Sequence, residues 1–240
     1  MHSNRCLVKG HDHAASRCYA ETHSNCLYCH YSTRDDYRDR LGHQAFHHAS
    51  QPDSRAVDEP GELCHWRFST DGDLAPDFKL TDQFGHSVTL SSLRGHEVVL
   101  AFIDSRCKTL CPLTAQIMYD AKVALGASAA SRVELVAVNA NPTATSVAAV
   151  QAWSIAHGML HQWVFLTGTA QQLWSVYHLY NVYVQVGSDG EVVHDPKSFI
   201  IDAQGHERLY FETLDSSSQS DLRSQEIGLE AGMRQWLPQP

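Results

Sequence analysis

The run E-V-V-L-A-F-I at 97–103 constrains this chain more than any other feature. After Glu97 it does not alternate, and a strand with one wet face would carry a polar residue at every second position. It therefore reads as a strand buried on both faces. R-V-E-L-V-A-V-N-A at 132–140 predicts a second strand of the same kind. Between the two, Pro112 suits the first turn of a helix, where its missing N–H costs nothing. That helix is predicted to pass through Gln116, Ile117 and Ala121 to about Leu125, with Gly126 as its stop.

The flanking segments extend the alternation. A-P-D-F-K-L-T-D-Q-F-G-H-S-V-T-L (75–90) predicts two short strands around a turn at Asp82–Gly85. T-S-V-A-A-V-Q-A-W-S-I-A-H-G (145–158) predicts a helix stopped by Gly158, W-V-F-L (163–166) a third strand, and the residues after Thr169 a helix to Tyr180. A hairpin is expected at 183–194 around Ser188–Gly190, then a strand, a D-A-Q-G turn and a return strand over 198–211, and an amphipathic helix over 220–237. This order implies an α/β domain, a sheet with helices on both faces. It is the order of a thioredoxin-like fold with an extra N-terminal hairpin.

Residues 1–68 have another character: rich in His, Ser, Arg and Asp, with no sustained period of either kind. A segment that buries little apolar surface does not offset the entropy of ordering. The expected organisation is a low-order, His- and Cys-rich region over 1–68 and a thioredoxin-like domain over 69–240. Nine of the sixteen histidines and five of the seven cysteines fall before residue 70.

Charge and hydropathy exclude several classes. A formal charge of −9 without a basic run gives nothing to track a phosphate backbone. No stretch approaches the ~20 apolar residues of a membrane span, and the first thirty residues lack the apolar core of a secretory signal. As written, the chain is expected to be soluble and to carry no address.

The chemistry concentrates in D-S-R-C-K-T-L-C-P-L-T-A-Q (104–116), where Cys107 and Cys111 stand four apart. With a helix starting near the first cysteine, positions i and i+4 share one face and both sulfurs point the same way. Exposed N–H groups of a first turn, with Lys108 nearby, would hold a thiol partly as thiolate, the form that attacks disulfides and binds metal. The spacing alone leaves three readings open: a reversible disulfide, two soft metal ligands, or two small buried core residues.

The run from Ala75 to about Phe211 resembles the Sco/SenC family, thioredoxin-fold copper proteins of cytochrome c oxidase assembly. The matching pieces are F-K-L-T-D-Q-F-G-H-S-V-T-L-S-S-L-R-G, C-K-T-L-C-P, F-L-T-G-T-A-Q-Q-L and V-V-H-D-P-K-S-F-I-I-D-A-Q-G. The resemblance implies copper as the bound ion, held by Cys107, Cys111 and a third ligand, His194, which lies 83 residues beyond Cys111. It also implies the copper-bearing oxidase subunit, or a thiol-redox protein, as partner. Extracytoplasmic placement is likewise a family expectation, although no export signal or anchor is visible. Two thiolates suit Cu(I), and an added imidazole makes a site for either copper oxidation state. Three ligands leave a position open for handing the ion on, and binding should weaken in acid. The departures are F-I-D-S-R where the family has an aromatic, Gly- and Thr-containing stretch, and A-V-N-A-N-P-T-A-T-S where it has S-V-D-P with further acids.

Other signals are weaker. C-L-Y-C-H (26–30) matches the haem c attachment pattern without an axial partner or apolar pocket, and with Cys18 and His23 it could form half a zinc site. H-Q-A-F-H-H (43–48) reads as a solvated histidine cluster, and Trp153, Trp163, Trp174 and the tyrosines 177, 180 and 183 as packing. His157, His161 and His178 read as ordinary histidines at helix ends. Two functions compete: a metallochaperone or assembly factor that delivers copper, and a thiol–disulfide oxidoreductase using Cys107 and Cys111 without stable metal. His194 separates them, because copper needs it and a dithiol does not. A peroxidase is the weakest reading, since no Pro and Thr precede Cys107 to set up a peroxidatic thiol.

Overall fold

The two apolar runs lie side by side as parallel strands at the centre of a six-stranded mixed sheet. The computed structural model describes residues 72–216 and 218–239 together with three two-residue strands. The chain divides into two units, Met1–Cys64 and His65–Pro240. In the first, β1 (Arg17–Cys18) pairs antiparallel with β2 (Cys29–His30). The tail, haem, zinc and histidine-cluster readings otherwise fall on residues outside those described.

The second unit carries β3 (Phe68–Ser69), the hairpin β4 (Lys79–Thr81) and β5 (Ser87–Thr89), then β6 (Glu97–Ile103) and α1 (Leu110–Ala124). Next come α2 (Ala127–Ala130), β7 (Val133–Asn139), α3 (Val147–Ala156), β8 (Val164–Leu166) and α4 (Ala170–Leu179). The hairpin β9 (Val184–Val186) and β10 (Val192–His194), the pair β11 (Lys197–Ile201) and β12 (Glu207–Glu212), and α5 (Gln219–Trp236) complete it. The sheet order is β3-β12-β11-β6-β7-β8. Of the neighbouring pairs, β6·β7 and β7·β8 are parallel and the others antiparallel.

Every residue of β6 is buried, as expected of a strand covered on both faces. Its alternate side chains serve two cores. Val99, Ala101 and Ile103 pack with α1, α3 and α5 residues such as Met118, Trp153 and Met233. Val98, Leu100 and Phe102 pack on the other face with Leu173, Tyr177 and Phe199. Full burial of such side chains contributes about 1.5–3 kcal/mol each. Gly232 lets α5 close onto the sheet, since a Cβ there would stand 2.8 Å from Ile200 Cδ1.

Local chemistry sets the element ends. Thr169 and Gln172 form a reciprocal capping box at the start of α4. Asp82 Oδ1 accepts the N–H groups of Phe84 and His86, folding the β4–β5 turn, and Gly85 supplies its φ of +89°. β3 was not foreseen, and nor were two helical features, α2 and a 3₁₀ turn at Leu90–Leu93. Neither presents a periodic apolar face long enough to register in sequence. The start of α1 also differs. It begins at Leu110 after Thr109, so Cys107 precedes the helix instead of opening it.

Glu97 begins β6 at the end of the sheet away from the thiols. It is fully buried, and neither carboxylate oxygen has a hydrogen-bond partner among the described residues. Burial, with the Asp202 charge adding to it, pushes its pKa up to about 8. The native state therefore keeps a proton that the unfolded chain loses near the ordinary value of about 4.5. Stability falls as pH rises between those two values and is flat above the upper one. Thermal unfolding from pH 5 to 8 should show wild type losing a few kcal/mol, on the order of magnitude such a shift implies. Glu97→Gln should remove most of that slope, and an unchanged slope would contradict the assignment.

Candidate metal centre

Topology brings the site together. β6 and β7 end in register at Ile103 and Asn139, so the loops after them emerge at one edge of the sheet. In parallel sheets that carboxyl edge is where ligands gather. β11 runs antiparallel to β6, with Ser198 opposite Ala101, so its N-terminal end lies at the same edge. The residues leading into β11, His194 to Pro196, thus arrive beside the loop that carries Cys107. Thr213 N–H donates to Pro196 C=O at 3.1 Å and holds that approach against the end of β12.

Cys111, the second residue of α1, is 3% exposed, and Cys107 is half-buried; neither is in a disulfide. Although Cys107 lies ahead of the helix, its sulfur accepts the backbone N–H of Cys111 at 3.4 Å and lies 3.7 Å from Thr109 Oγ1. Hydrogen bonding from the Cys111 side chain, then from the Cys111 and Thr109 N–H groups and the Thr109 hydroxyl, outweighs burial and brings its pKa down to about 5. Lys108 is not among the main contributors, so the thiolate is stabilised by helix-terminal hydrogen bonds and not by that charge. Cys111 moves the opposite way, its pKa pushed far up by its hydrogen bond to Cys107, by burial and by the Cys107 and Asp104 charges. The pair therefore holds one negative charge, centred on Cys107.

His194 Nε2 stands 3.6 Å from Cys111 Sγ. Its other nitrogen, Nδ1, is 2.9 Å from Asp195 C=O. A carbonyl only accepts, so Nδ1 is the donor there, and in the neutral ring that tautomer turns the Nε2 lone pair toward Cys111. That orientation is braced: Asp195 Oδ2 accepts the Tyr183 N–H at 3.0 Å and pairs with Lys197 Nζ at 3.1 Å, and Asp195 N–H donates to Tyr183 C=O. A histidine whose far nitrogen is fixed by a backbone carbonyl is a usual arrangement for a metal ligand.

Among the described residues no three His, Cys, Asp or Glu side chains stand close enough together to hold a metal ion as they are placed. The arrangement is a chain of neighbours, Cys107 to Cys111 to His194. One pair of them, Cys111 and His194, has the spacing of two donors to a single soft ion. Metal–sulfur and metal–nitrogen bonds of about 2.3 and 2.0 Å, at tetrahedral to trigonal angles, separate the two donors by about 3.5–3.7 Å. The observed 3.6 Å falls in that interval.

Beneath lies a polar network that sequence reading missed. Asp104, 5% exposed, accepts the Arg106 N–H and Asn141 Nδ2, both at 2.8 Å. Asn139 Oδ1 accepts the Asn141 and Ser105 N–H groups, its Nδ2 donates to Ala144 C=O at 2.8 Å, and its own carbonyl accepts Tyr177 O–H at 2.6 Å. The signal was present in N-A-N-P, two amides at the end of a buried strand, but only tertiary pairing shows what they hold. As expected, Trp153, Trp163, Trp174 and Tyr177 pack in or against the cores, with Tyr180. Tyr183 differs, being exposed beside the site.

Residues 68–225 match the family model described as SCO1/SenC, about two thirds of the chain. The chain belongs to the SCO1/SenC family. Among solved structures, Arabidopsis thaliana ScoI with copper bound is similar at 21% identity and a TM-score of 0.58, covering 68% of this chain and 100% of that one. A SCO1/SenC family lipoprotein from Bacillus anthracis gives 19% and 0.59, covering 70% and 96% respectively. Yeast Sco1 with copper bound gives 20% and 0.54, covering 69% and 91%. At these identities the likeness establishes the thioredoxin-like fold. No curated protein matches the chain in sequence. Among the described residues of this family member, no helix is long and apolar enough to cross a membrane.

The thiol asymmetry has a direct readout. Ultraviolet titration of the reduced chain should show one thiolate forming with a midpoint near about 5. Iodoacetamide at pH 6 should label Cys107 well before Cys111, and Thr109→Ala should raise the midpoint. A first midpoint at the ordinary thiol value of about 8.5 would contradict the hydrogen-bond account.

Proposed function

We propose that this SCO1/SenC chain is a copper-binding assembly factor in which Cys107, Cys111 and His194 hold copper and release it to the copper-bearing subunit of cytochrome c oxidase. The observation that carries the reading is the 3.6 Å approach of His194 Nε2 to Cys111 Sγ across 83 residues of sequence. A dithiol reductant has no need of that ring, whereas a soft ion gains a third donor from it. The Arabidopsis and yeast relatives were solved with copper bound, which supports copper as the cargo here. The role assigned to each residue follows from its state. Cys107 supplies a preformed thiolate, Cys111 gives up its proton when the ion arrives, and His194 offers a neutral nitrogen. Three donors leave a coordination position for a recipient's ligand. The extracytoplasmic face, where copper-bearing oxidase domains would meet such a donor, is the proposed location; the Bacillus anthracis relative is a lipoprotein.

The thiol asymmetry favours a second reading, a thiol–disulfide oxidoreductase. The Cys107 thiolate attacks one sulfur of a substrate disulfide and expels the other as a thiolate, which takes up a proton. Cys111, deprotonated, then attacks the Cys107 sulfur of the mixed disulfide. The substrate leaves as a dithiol, reduced by two electrons, and the pair is left oxidised.

Copper reconstitution under reducing conditions separates the two. Wild type should retain one Cu(I) per chain, with affinity falling as pH drops. Removing a ligand should cost more than the ~10–100-fold typical of an outer-sphere partner, so His194→Ala should weaken binding at least ~100-fold and Cys107→Ser or Cys111→Ser should abolish it. If His194→Ala binds as wild type does, the three-donor site is wrong. If reduced wild type retains no copper yet reduces a disulfide, the oxidoreductase replaces it.

A further inference from the structure

The Cys107 loop has few anchors. Its local bonds are Cys107 N–H to Asp104 C=O at 3.1 Å and Arg106 N–H to Asp104 Oδ1. Among the described residues, one hydrogen bond joins the backbone of residues 106–109 to a distant element: Trp153 Nε1–H on α3 donates to Cys107 C=O at 3.1 Å. Trp153 is 6% exposed, and a buried indole N–H needs a partner. The ring itself is braced, stacked on Trp163 at 5.5 Å, edge-on to Phe165 at 5.8 Å and against His157 at 4.0 Å.

We propose that Trp153 is a positioning residue that sets the Cys107 sulfur against the Cys111 N–H and the Cys111–His194 pair. The proposal rests on the site described above. Fixing the Cys107 carbonyl fixes the peptide plane that follows it, and with it the direction of the Cα–Cβ bond that carries the sulfur. Without the indole donor, the buried side of that peptide loses its partner and the loop can rotate to find water. The sulfur then leaves the N–H that stabilises it and the neighbour with which it must act. A donor held by a rigid aromatic core costs less to organise than one on a loop alone.

Two substitutions separate positioning from packing. Trp153→Phe keeps a ring and removes the N–H. Trp163→Phe makes the same change in the same aromatic cluster, but its N–H bonds Ser154 Oγ at 3.0 Å and not the Cys107 loop. Two quantities are measured on the full chain. The first is the equilibrium constant for closing the Cys107–Cys111 disulfide in glutathione buffer, where one glutathione disulfide accepts two electrons and two protons from the pair. It reports sulfur placement without any metal. The second is Cu(I) affinity by competition with bicinchoninate.

Trp153→Phe should lower the disulfide constant about tenfold, a potential higher by about 30 mV, and weaken Cu(I) binding about 10–100-fold. Trp163→Phe should lower the melting temperature and leave both constants at wild-type values. A disulfide constant that does not differ between the two variants overturns the positioning role, whatever copper does. If wild type takes up no Cu(I), the proposed function fails and the disulfide constant alone decides the place of Trp153.

Discussion

The antiparallel alignment of β11 against β6 is the constraint on which everything else depends. Parallel pairing of β6 with β7 needs only the helical crossover through α1, and sends both strands toward the same edge. Because β11 runs the other way, its entry, rather than its exit, lies at that edge. The sequence separation of His194 from the thiols is cancelled by this one choice of direction. Had β11 run parallel, the same histidine would lie at the far end, near Glu97. Burial locks the direction and the register, since a one-residue slip would turn Phe199 and Ile201 out of the core they share with Phe102.

Against that frame, the site's electrostatics follow from how little charge is spent. The Cys107 thiolate is supported first by the Cys111 thiol and then by the Cys111 and Thr109 N–H groups, and the buried carboxylate beneath it, Asp104, is engaged by Asn141. Cys111 keeps its proton chiefly through its hydrogen bond to Cys107 and its burial, while Asp104 acts on it both ways, its backbone N–H favouring the thiolate and its charge opposing it. Two thiols of unlike state are thereby maintained from neutral donors and one acid. The family resemblance leads one to expect acids around the end of β7, where this chain has Asn139, the strand's last residue, and Asn141. Here those amides act as donors and acceptors together, tying the β6 and β7 loops to one another in a way two carboxylates could not.

Most of the architecture was legible because it is written in local terms. Glu97–Ile103 and Val133–Asn139 advertise two-sided burial by lacking alternation, Gly126 and Gly158 mark helix stops, and Thr169 marks a helix start. His194 was reachable only through the family resemblance, since nothing in V-V-H-D-P distinguishes a ligand from a surface ring. Three things were not legible. α1 begins at Leu110 because the residues before it fold into a turn on Asp104, whose backbone carbonyl accepts the Cys107 N–H and whose side chain accepts the Arg106 N–H, a side-chain preference that competes with helix and does not alter the apolar period. The asparagine network depends on pairs drawn from different elements. The Glu97 carboxyl looks from sequence like a solvated strand end, and only the assembled sheet shows it sealed.

Trp153 shows why fold and chemistry cannot be separated at this edge. The face of β6 that carries Val99, Ala101 and Ile103 shares a core with Trp153, Trp163 and Phe165, and Cys107 packs on the margin of the same cluster. The loop's carbonyl is therefore referenced to the interior of the protein and not only to its own short turn. Rigidity flows outward, from a strand with no exposed residue, through a braced indole, to a sulfur that is half in solvent. A carrier has to keep its donors together when empty and still surrender the ion. For the proposed carrier, anchoring Cys107 through its backbone while its side chain is only half-buried suits both demands, because a recipient would meet the sulfur without disturbing the bond that places it.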